Sequence, residues 1–209
     1  MKERHLQYLC CPACRGDFNL EISERLGDDV VTGILGCAAC RTEYPIRRGV
    51  ARILPLDLAA DKQASANAFG YEWTRFRELR PEYREQFLAW VAPLTPQDFA
   101  GKLVLDAGCG KGRHLYWSAK FGARDVIGVD LGPAVDVAYA NTKEFDNVSI
   151  IQADIFHLPI KPLVDLAYSI GVLHHLPDPA KGFDALAVTV RPGGMVAAWV
   201  YGREGNNWI

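Results

Sequence analysis

The sequence predicts an α/β fold, a mostly parallel sheet with helices on both faces, preceded by a small cysteine-rich unit. Three observations predict it. From Leu103 onward, short apolar runs bounded by Gly, Asp or Pro alternate with helix-like segments. The first of those runs leads straight into a turn holding Gly108, Gly110 and Gly112. Ahead of it, five of the six cysteines fall within residues 1–54, four of them in two Cys-x-x-Cys pairs.

The N-terminal unit spans residues 1–54. Cys11-Pro-Ala-Cys14 and Cys37-Ala-Ala-Cys40 each leave a two-residue gap, which lets a tight turn aim two thiolates at one metal. Two such knuckles complete the tetrahedral four-sulfur shell that Zn²⁺ accepts. The 22 residues between the pairs, Val30 to Leu35 among them, suit a β-hairpin. Cys10 competes with Cys11 for the ligand role, and the Pro-Ala spacing favours Cys11. A shell of four protein ligands is closed, so the metal is expected to be structural. So small a segment has little core to fold on without it.

Residues 55–68 read as a linker or a short helix. The third region, 69–209, opens on an aromatic stretch from Phe69 to Phe76, either a lid over a ligand or a helix face packed on the core. Five strands follow, at Leu103-Val104-Leu105, Asp125 to Val129, Val148 to Ile151, Val164 to Ser169, and Met195 to Tyr201. Helical segments lie between them, His114 to Phe121, Ala134 to Glu144 and Ala180 to Val190. Near-continuous apolar strands alternating with helices imply a parallel sheet covered on both faces. Right-handed crossovers then bring all the strand C-termini to one edge, where such sheets bind their ligands.

Asp106-Ala107-Gly108-Cys109-Gly110-Lys111-Gly112 is the most informative stretch. Glycines let the backbone turn tightly and approach a ligand closely, with a helix N-terminus facing it. A phosphate-binding P-loop requires Ser or Thr after Gly-Lys, and here Gly112 follows Lys111. A dinucleotide site requires Gly-x-Gly-x-x-Gly, and the third glycine comes one residue early. Asp130, 24 residues after Asp106, ends the second strand, where a carboxylate can accept from both hydroxyls of a ribose. Asp154 ends the third strand. Taken singly, each acid also reads as a turn residue or a helix cap.

Asp-x-Gly-x-Gly-x-Gly resembles motif I of the class I S-adenosylmethionine (SAM)-dependent methyltransferases, a Rossmann-like family. The resemblance continues through Ser169-Ile170-Gly171-Val172-Leu173-His174-His175-Leu176 and Arg191-Pro192-Gly193-Gly194, covering roughly residues 69–202. It implies SAM as cofactor, held by Asp106, Gly108, Gly110, Gly112, Asp130, Leu131, Asp154, Ile155 and Ser169, with Asp154 near the adenine amine. It also implies a seven-stranded sheet. Five strands are visible before the chain stops at Trp208-Ile209, so a terminal hairpin is expected to be missing. In the first unit, Cys-Pro-x-Cys-x-Gly, Gly33-Ile34-Leu35-Gly36-Cys37-x-x-Cys40 and Tyr44-Pro45-Ile46-x-x-Gly49-Val50 resemble the Trm112-like zinc-ribbon family over about residues 6–54. Its members are activating partners of methyltransferases or are fused to them, so a protein partner is a further expectation.

Methyl transfer from a sulfonium is an in-line displacement in which alignment supplies much of the acceleration. A base matters only where the acceptor must lose a proton. His174 and His175 are the candidates, His174 the first choice, and each is also readable as a structural histidine bonded to backbone. His5, His114 and His157 show no partner in the sequence. The formal net charge of −2 and pI of about 6.2 argue against nucleic acid or an anionic membrane as partner, and Arg47, Arg48 and Arg52 read as a solvated surface run. The acceptor is therefore expected to be a small or lipid-like molecule, with no nucleic acid. No run reaches the ~18 apolar residues of a membrane span. Paired cysteines suggest a reducing compartment, the cytoplasm. The competing readings are an NAD-linked oxidoreductase and a non-catalytic adaptor of zinc ribbon and Rossmann-like part.

Overall fold

The computed structural model describes residues 1–55, 70–71 and 73–202. The expected linker at 55–68 lies almost wholly outside them, as do Phe69, Glu72 and the terminal Trp208-Ile209. Nine strands form one sheet. They are β1 Phe18–Leu26, β2 Asp29–Cys37, β3 Glu43–Arg47, β4 Val50–Ile53, β5 Leu103–Ala107, β6 Asp125–Asp130, β7 Val148–Ala153, β8 Val164–Ile170 and β9 Val190–Trp199. Their order across the sheet is β1-β2-β3-β4-β7-β6-β5-β8-β9. Strands β1 to β4 are an antiparallel meander, and every pairing from β4 to β9 is parallel.

The meander follows from its turns. Leu26 pairs with Asp29 across Gly27-Asp28, and Arg47 pairs with Val50 across Arg48-Gly49. Both residues of the second turn have positive φ, 54° and 78°, the twist that matches right-handed strands. Strand β4 then joins β7 through Ala51 to Ile151 and Ile53 to Ala153, so the cysteine-rich unit and the parallel sheet are one hydrogen-bonded surface.

Within β5 to β9 the side chains alternate between two cores. Leu103, Leu105, Ala107, Ile127, Val129, Ile151 and Ala153 face one side, together with Tyr8, Leu9, Phe18, Leu35 and Ile46 from the N-terminal unit. Val104, Val126, Val148, Ile150 and Leu166 face the other, with Phe87 and Val91 of α1 (Tyr83–Val91), Leu115 of α2 (Arg113–Lys120) and Val135 and Ala138 of α3 (Val135–Thr142). Helix α4 (Pro179–Ala187) sends Leu186 to the first core. Both faces are thus dry, which is why the strands read as unbroken apolar runs. The expected turn at Arg191-Pro192-Gly193-Gly194 lies inside β9, at a register irregularity. A bulge in a strand tolerates a proline, which has no N–H for the ladder.

A buried polar clasp crosses the seam. His5, on the 3-10 turn Glu3–Tyr8, contacts Ser149 Oγ at 2.8 Å through Nδ1 and Asp125 Oδ1 at 2.9 Å through Nε2. Tyr8 donates to Asp125 Oδ2 at 2.7 Å, and the Lys2 amide donates to Ser149 Oγ at 2.9 Å. Burial lowers the pKa of His5, so the ring is neutral, Nε2–H donating to the carboxylate and Nδ1 accepting from the serine. These bonds imitate a hydrolytic triad. His5, Ser149 and Asp125 are all buried, and their bonds tie the N-terminal turn to β6 and β7. His5 is therefore not the partnerless filler expected from the sequence; its partners lie 120 and 144 positions away.

Candidate active site

The order β7-β6-β5-β8-β9 reverses direction between β5 and β8, and ligands of such sheets bind outside the strand C-termini at that switch. A cavity of about 660 Å³ lies there. Its floor is the glycine turn after β5. Gly108, Gly110 and Gly112 all have positive φ, 89°, 51° and 83°, a conformation other residues resist. The first two line the cavity, and Gly112 starts α2 behind it. A Cβ on Gly108 would lie 2.3 Å from Val172 Cγ2, so the turn closes directly on the segment after β8.

Asp130, at the end of β6, lines the cavity. Its Oδ2 accepts from the Gly110 amide at 2.9 Å and its Oδ1 from the Gly132 amide at 2.8 Å. The Leu131 amide also faces this carboxylate, which with four lone-pair positions can still accept from a ligand hydroxyl. Leu131, Asp154 and Ile155 line the same wall. Asp154 also caps the turn after β7, accepting from the Phe156 amide at 3.0 Å. Asp106 and Ser169 lie below the floor. Ser169 donates to the Ala107 carbonyl at 2.8 Å. Asp106 is fully buried beside the Tyr168 hydroxyl, with neither carboxylate oxygen in full hydrogen-bond geometry, and burial raises its pKa well above the usual range.

Opposite the glycine turn stands an aromatic wall. Trp90, Trp199 and Tyr201 line the cavity, with ring centroids 4.6 Å apart for Trp90 and Trp199 and 5.2 Å for Trp199 and Tyr201. His175 lines the cavity as well. His174 packs against Tyr201 at 4.3 Å with both ring nitrogens enclosed, and burial lowers its pKa. Lys111, Arg113, His114 and Trp73 also line it, and the sequence analysis singles out only Trp73 among them, within the aromatic stretch. Trp73 places part of the aromatic stretch at the mouth. His114 could have been found as the second residue of the helix leaving the glycine turn.

A second constellation sits in the N-terminal unit. The four sulfurs of Cys11, Cys14, Cys37 and Cys40 all lie within 4.8 Å of one another. Cys11 and Cys40 are 3.6 Å apart, and Cys14 and Cys37 are 3.4 Å apart. Zn–S bonds of about 2.3 Å in a tetrahedron set sulfurs about 3.8 Å apart, so the cluster has the dimensions of a four-thiolate metal site. Cys10 is outside it, buried, its amide donating to the Pro159 carbonyl at 3.0 Å.

The sequence matches two family models, methyltransferase domain over residues 105–198 and Trm112p-like protein over residues 2–49. The tRNA U34 carboxymethyltransferase of Idiomarina loihiensis is 32% identical over 122 residues, covering 56% of this chain and 38% of the relative. The ubiquinone biosynthesis O-methyltransferase of Acinetobacter baylyi is 33% identical over 144 residues, covering 66% of this chain and 60% of the relative. The chain thus matches less than two thirds of the length of either. A chain from the complex between the Haloferax volcanii Trm112 methyltransferase activator and a methyltransferase shares the fold, with a TM-score of 0.53 at 23% identity over 67% of this chain and 59% of that one.

The tRNA relatives correct the expectation that nucleic acid is excluded as a partner. That expectation rested on the total charge of −2, and recognition depends on where charges sit rather than on their sum. No helix among the described residues is long and apolar enough to cross a membrane.

Proposed function

We propose that this chain, which matches the methyltransferase-domain model over residues 105–198 and the Trm112p-like model over residues 2–49, transfers a methyl group from SAM to an acceptor held against the aromatic wall. One observation carries this reading. Asp130 braces the glycine turn through the Gly110 amide and lines the cavity, where its carboxylate can accept from a ribose hydroxyl. Bound there, SAM supplies a methyl on a positively charged sulfur; the acceptor's electron pair forms the new bond to carbon while the sulfur keeps the electrons of the broken one.

The chain's own residues have three tasks. The glycine turn and Asp130 fix the donor end, with Leu131, Asp154 and Ile155 along the neighbouring wall. Trp90, Trp199 and Tyr201 exclude water and orient the acceptor for in-line attack. Where the acceptor must lose a proton, His175 is the group that faces the cavity, while His174 stands behind it against Tyr201. The ubiquinone relatives support a small or lipid-like acceptor, and the tRNA relatives support a nucleic acid.

Residues 1–54 serve this site indirectly. We assign a structural Zn²⁺ to Cys11, Cys14, Cys37 and Cys40, closed to substrate. Pairing of β4 with β7, together with the His5 clasp, lets the ribbon brace the strand that leads into Asp154. The test is label transfer from methyl-labelled SAM into an RNA fraction and, separately, a lipid extract. Label in either fraction, lost in Asp130→Asn, supports the reading. No label in either, from protein that binds S-adenosylhomocysteine, would leave the adaptor reading in its place.

A further inference from the structure

Beside the active-site cavity lies a second one, of about 740 Å³, lined by residues 73–78, Arg80, Tyr83, Lys111 and Arg113. Trp73, Lys111 and Arg113 line both, so the two are continuous. Five cations meet there, Arg75, Arg77, Arg80, Lys111 and Arg113, against the single acid Glu78. None of the five has a carboxylate within ion-pair distance among the described residues. Elsewhere Arg4, Arg52, Arg84, Arg124 and Arg191 each have one within 4.0 Å.

The groove is also held in shape. The buried Lys111 ammonium donates to the Phe76 carbonyl at 2.8 Å and the Glu78 carbonyl at 3.0 Å, and Asn141 donates to the Arg77 carbonyl at 3.0 Å. Lys111 Nζ lies 5.2 Å and 5.1 Å from the ring centroids of Trp73 and Tyr83, and Arg113 lies 5.0 Å from that of Trp90. Holding Lys111 and Arg113 over the rings leaves Arg75, Arg77, Arg80 and Phe76 exposed along the outer groove, Phe76 at 59%.

We propose that this groove is the track for a single-stranded RNA acceptor, its phosphates on Arg75, Arg77 and Arg80, one base stacked on Phe76, and the target nucleotide entering the active site past Trp73 and Arg113. A lone phosphate or headgroup is bound by donors converging on one buried point. Here the arginines are spread along an open groove with an aromatic ring among them, the pattern that binds a strand. As an acceptor site, the proposal rests on the methyltransferase reading above.

The test is fluorescence anisotropy with a labelled mixed-sequence 12-nucleotide RNA on the full chain, from 50 to 300 mM salt, with S-adenosylhomocysteine calorimetry on the same samples. The expected result is a salt slope that falls by about 2 in the triple variant Arg75→Gln/Arg77→Gln/Arg80→Gln, about 0.7 for each phosphate no longer neutralised. RNA affinity should fall at least tenfold at 100 mM salt while S-adenosylhomocysteine affinity is unchanged. The triple Arg→Lys variant should keep the slope. RNA binding that survives the Gln variant, or stronger binding of wild type to anionic vesicles or a poly-glutamate peptide, overturns the proposal. No RNA binding by protein that binds S-adenosylhomocysteine overturns the groove alone. RNA binding without S-adenosylhomocysteine binding overturns the acceptor role and the methyltransferase reading with it.

Discussion

Replacing Gly108 with alanine tests the glycine turn through two separable costs. The first is conformational. Gly108 has a φ of 89°, and an L-residue held in the left-handed region costs about 1–2 kcal/mol. The second is steric. The new Cβ would sit 2.3 Å from Cγ2 and 2.9 Å from Cγ1 of Val172, against a comfortable separation of about 3.5–4.0 Å. Overpacking of that kind costs about 1–3 kcal/mol, and Val172, branched at Cβ, has few rotamers to escape into. Gly108→Ala should therefore destabilise the fold by about 2–5 kcal/mol in urea denaturation followed by circular dichroism. Val172→Ala removes both colliding methyls. In the double variant the steric part should shrink to the contact with the remaining Val172 Cβ, 3.0 Å away, and the conformational part remain, giving a favourable coupling of about 1–3 kcal/mol. A single variant within 0.5 kcal/mol of wild type, or a coupling of zero, would refute the assignment of Gly108 to a turn closed against the segment after β8.

Two further predictions concern the N-terminal unit. Purified protein should carry about one zinc per chain; Cys37→Ser should release it and unfold residues 1–54, since structural zinc contributes about 10–16 kcal/mol to folding. Cys10→Ser should retain the metal, and a loss there would transfer the ligand role from Cys11. For His5, burial lowers the folded pKa below the usual 6.5, so the unfolded chain binds the extra proton first. Stability from the clasp is then complete above about pH 6.5 and falls as pH drops below it. His114 is buried as well and acts in the same direction, so the measurement is the difference between wild type and His5→Gln. The variant should be less stable at pH 7.5 by about 2–4 kcal/mol, the sum of a hydrogen bond to a carboxylate and one to a hydroxyl, with the gap narrowing at pH 5. A gap that widens toward acid would refute the neutral clasp.

The parts of this molecule that were legible in the sequence are those fixed by local chemistry. Strands β5 to β8 are buried on both faces and so appear as apolar runs. The glycine turn and the cysteine knuckles are dictated by backbone freedom and ligand spacing over a few residues. What could not be read is what distant residues make together. Nothing near Val50–Ile53 signals that this strand pairs with β7, about a hundred positions later. The turn at Arg191-Pro192-Gly193-Gly194 is implied by the resemblance, and the bulge that admits the proline to β9 shows only in its register against β8. The cationic groove gathers Arg75, Arg77 and Arg80 with Lys111 and Arg113 inside a chain whose net charge is −2, so whole-chain electrostatics pointed away from it.

The central claim is that the cavity at the β5–β8 switch binds SAM through the glycine turn and Asp130. The most direct measurement is calorimetric titration of the zinc-replete chain with S-adenosylhomocysteine, with NAD as control, repeated on Asp130→Ala. Two charge-assisted hydrogen bonds to the ribose, each about 1.5–3 kcal/mol, predict at least a hundredfold loss in the variant. Micromolar binding by wild type, that loss in the variant and no heat from NAD are the predicted result. A folded protein that does not bind S-adenosylhomocysteine, or that binds it equally well without the Asp130 carboxylate, would contradict the account.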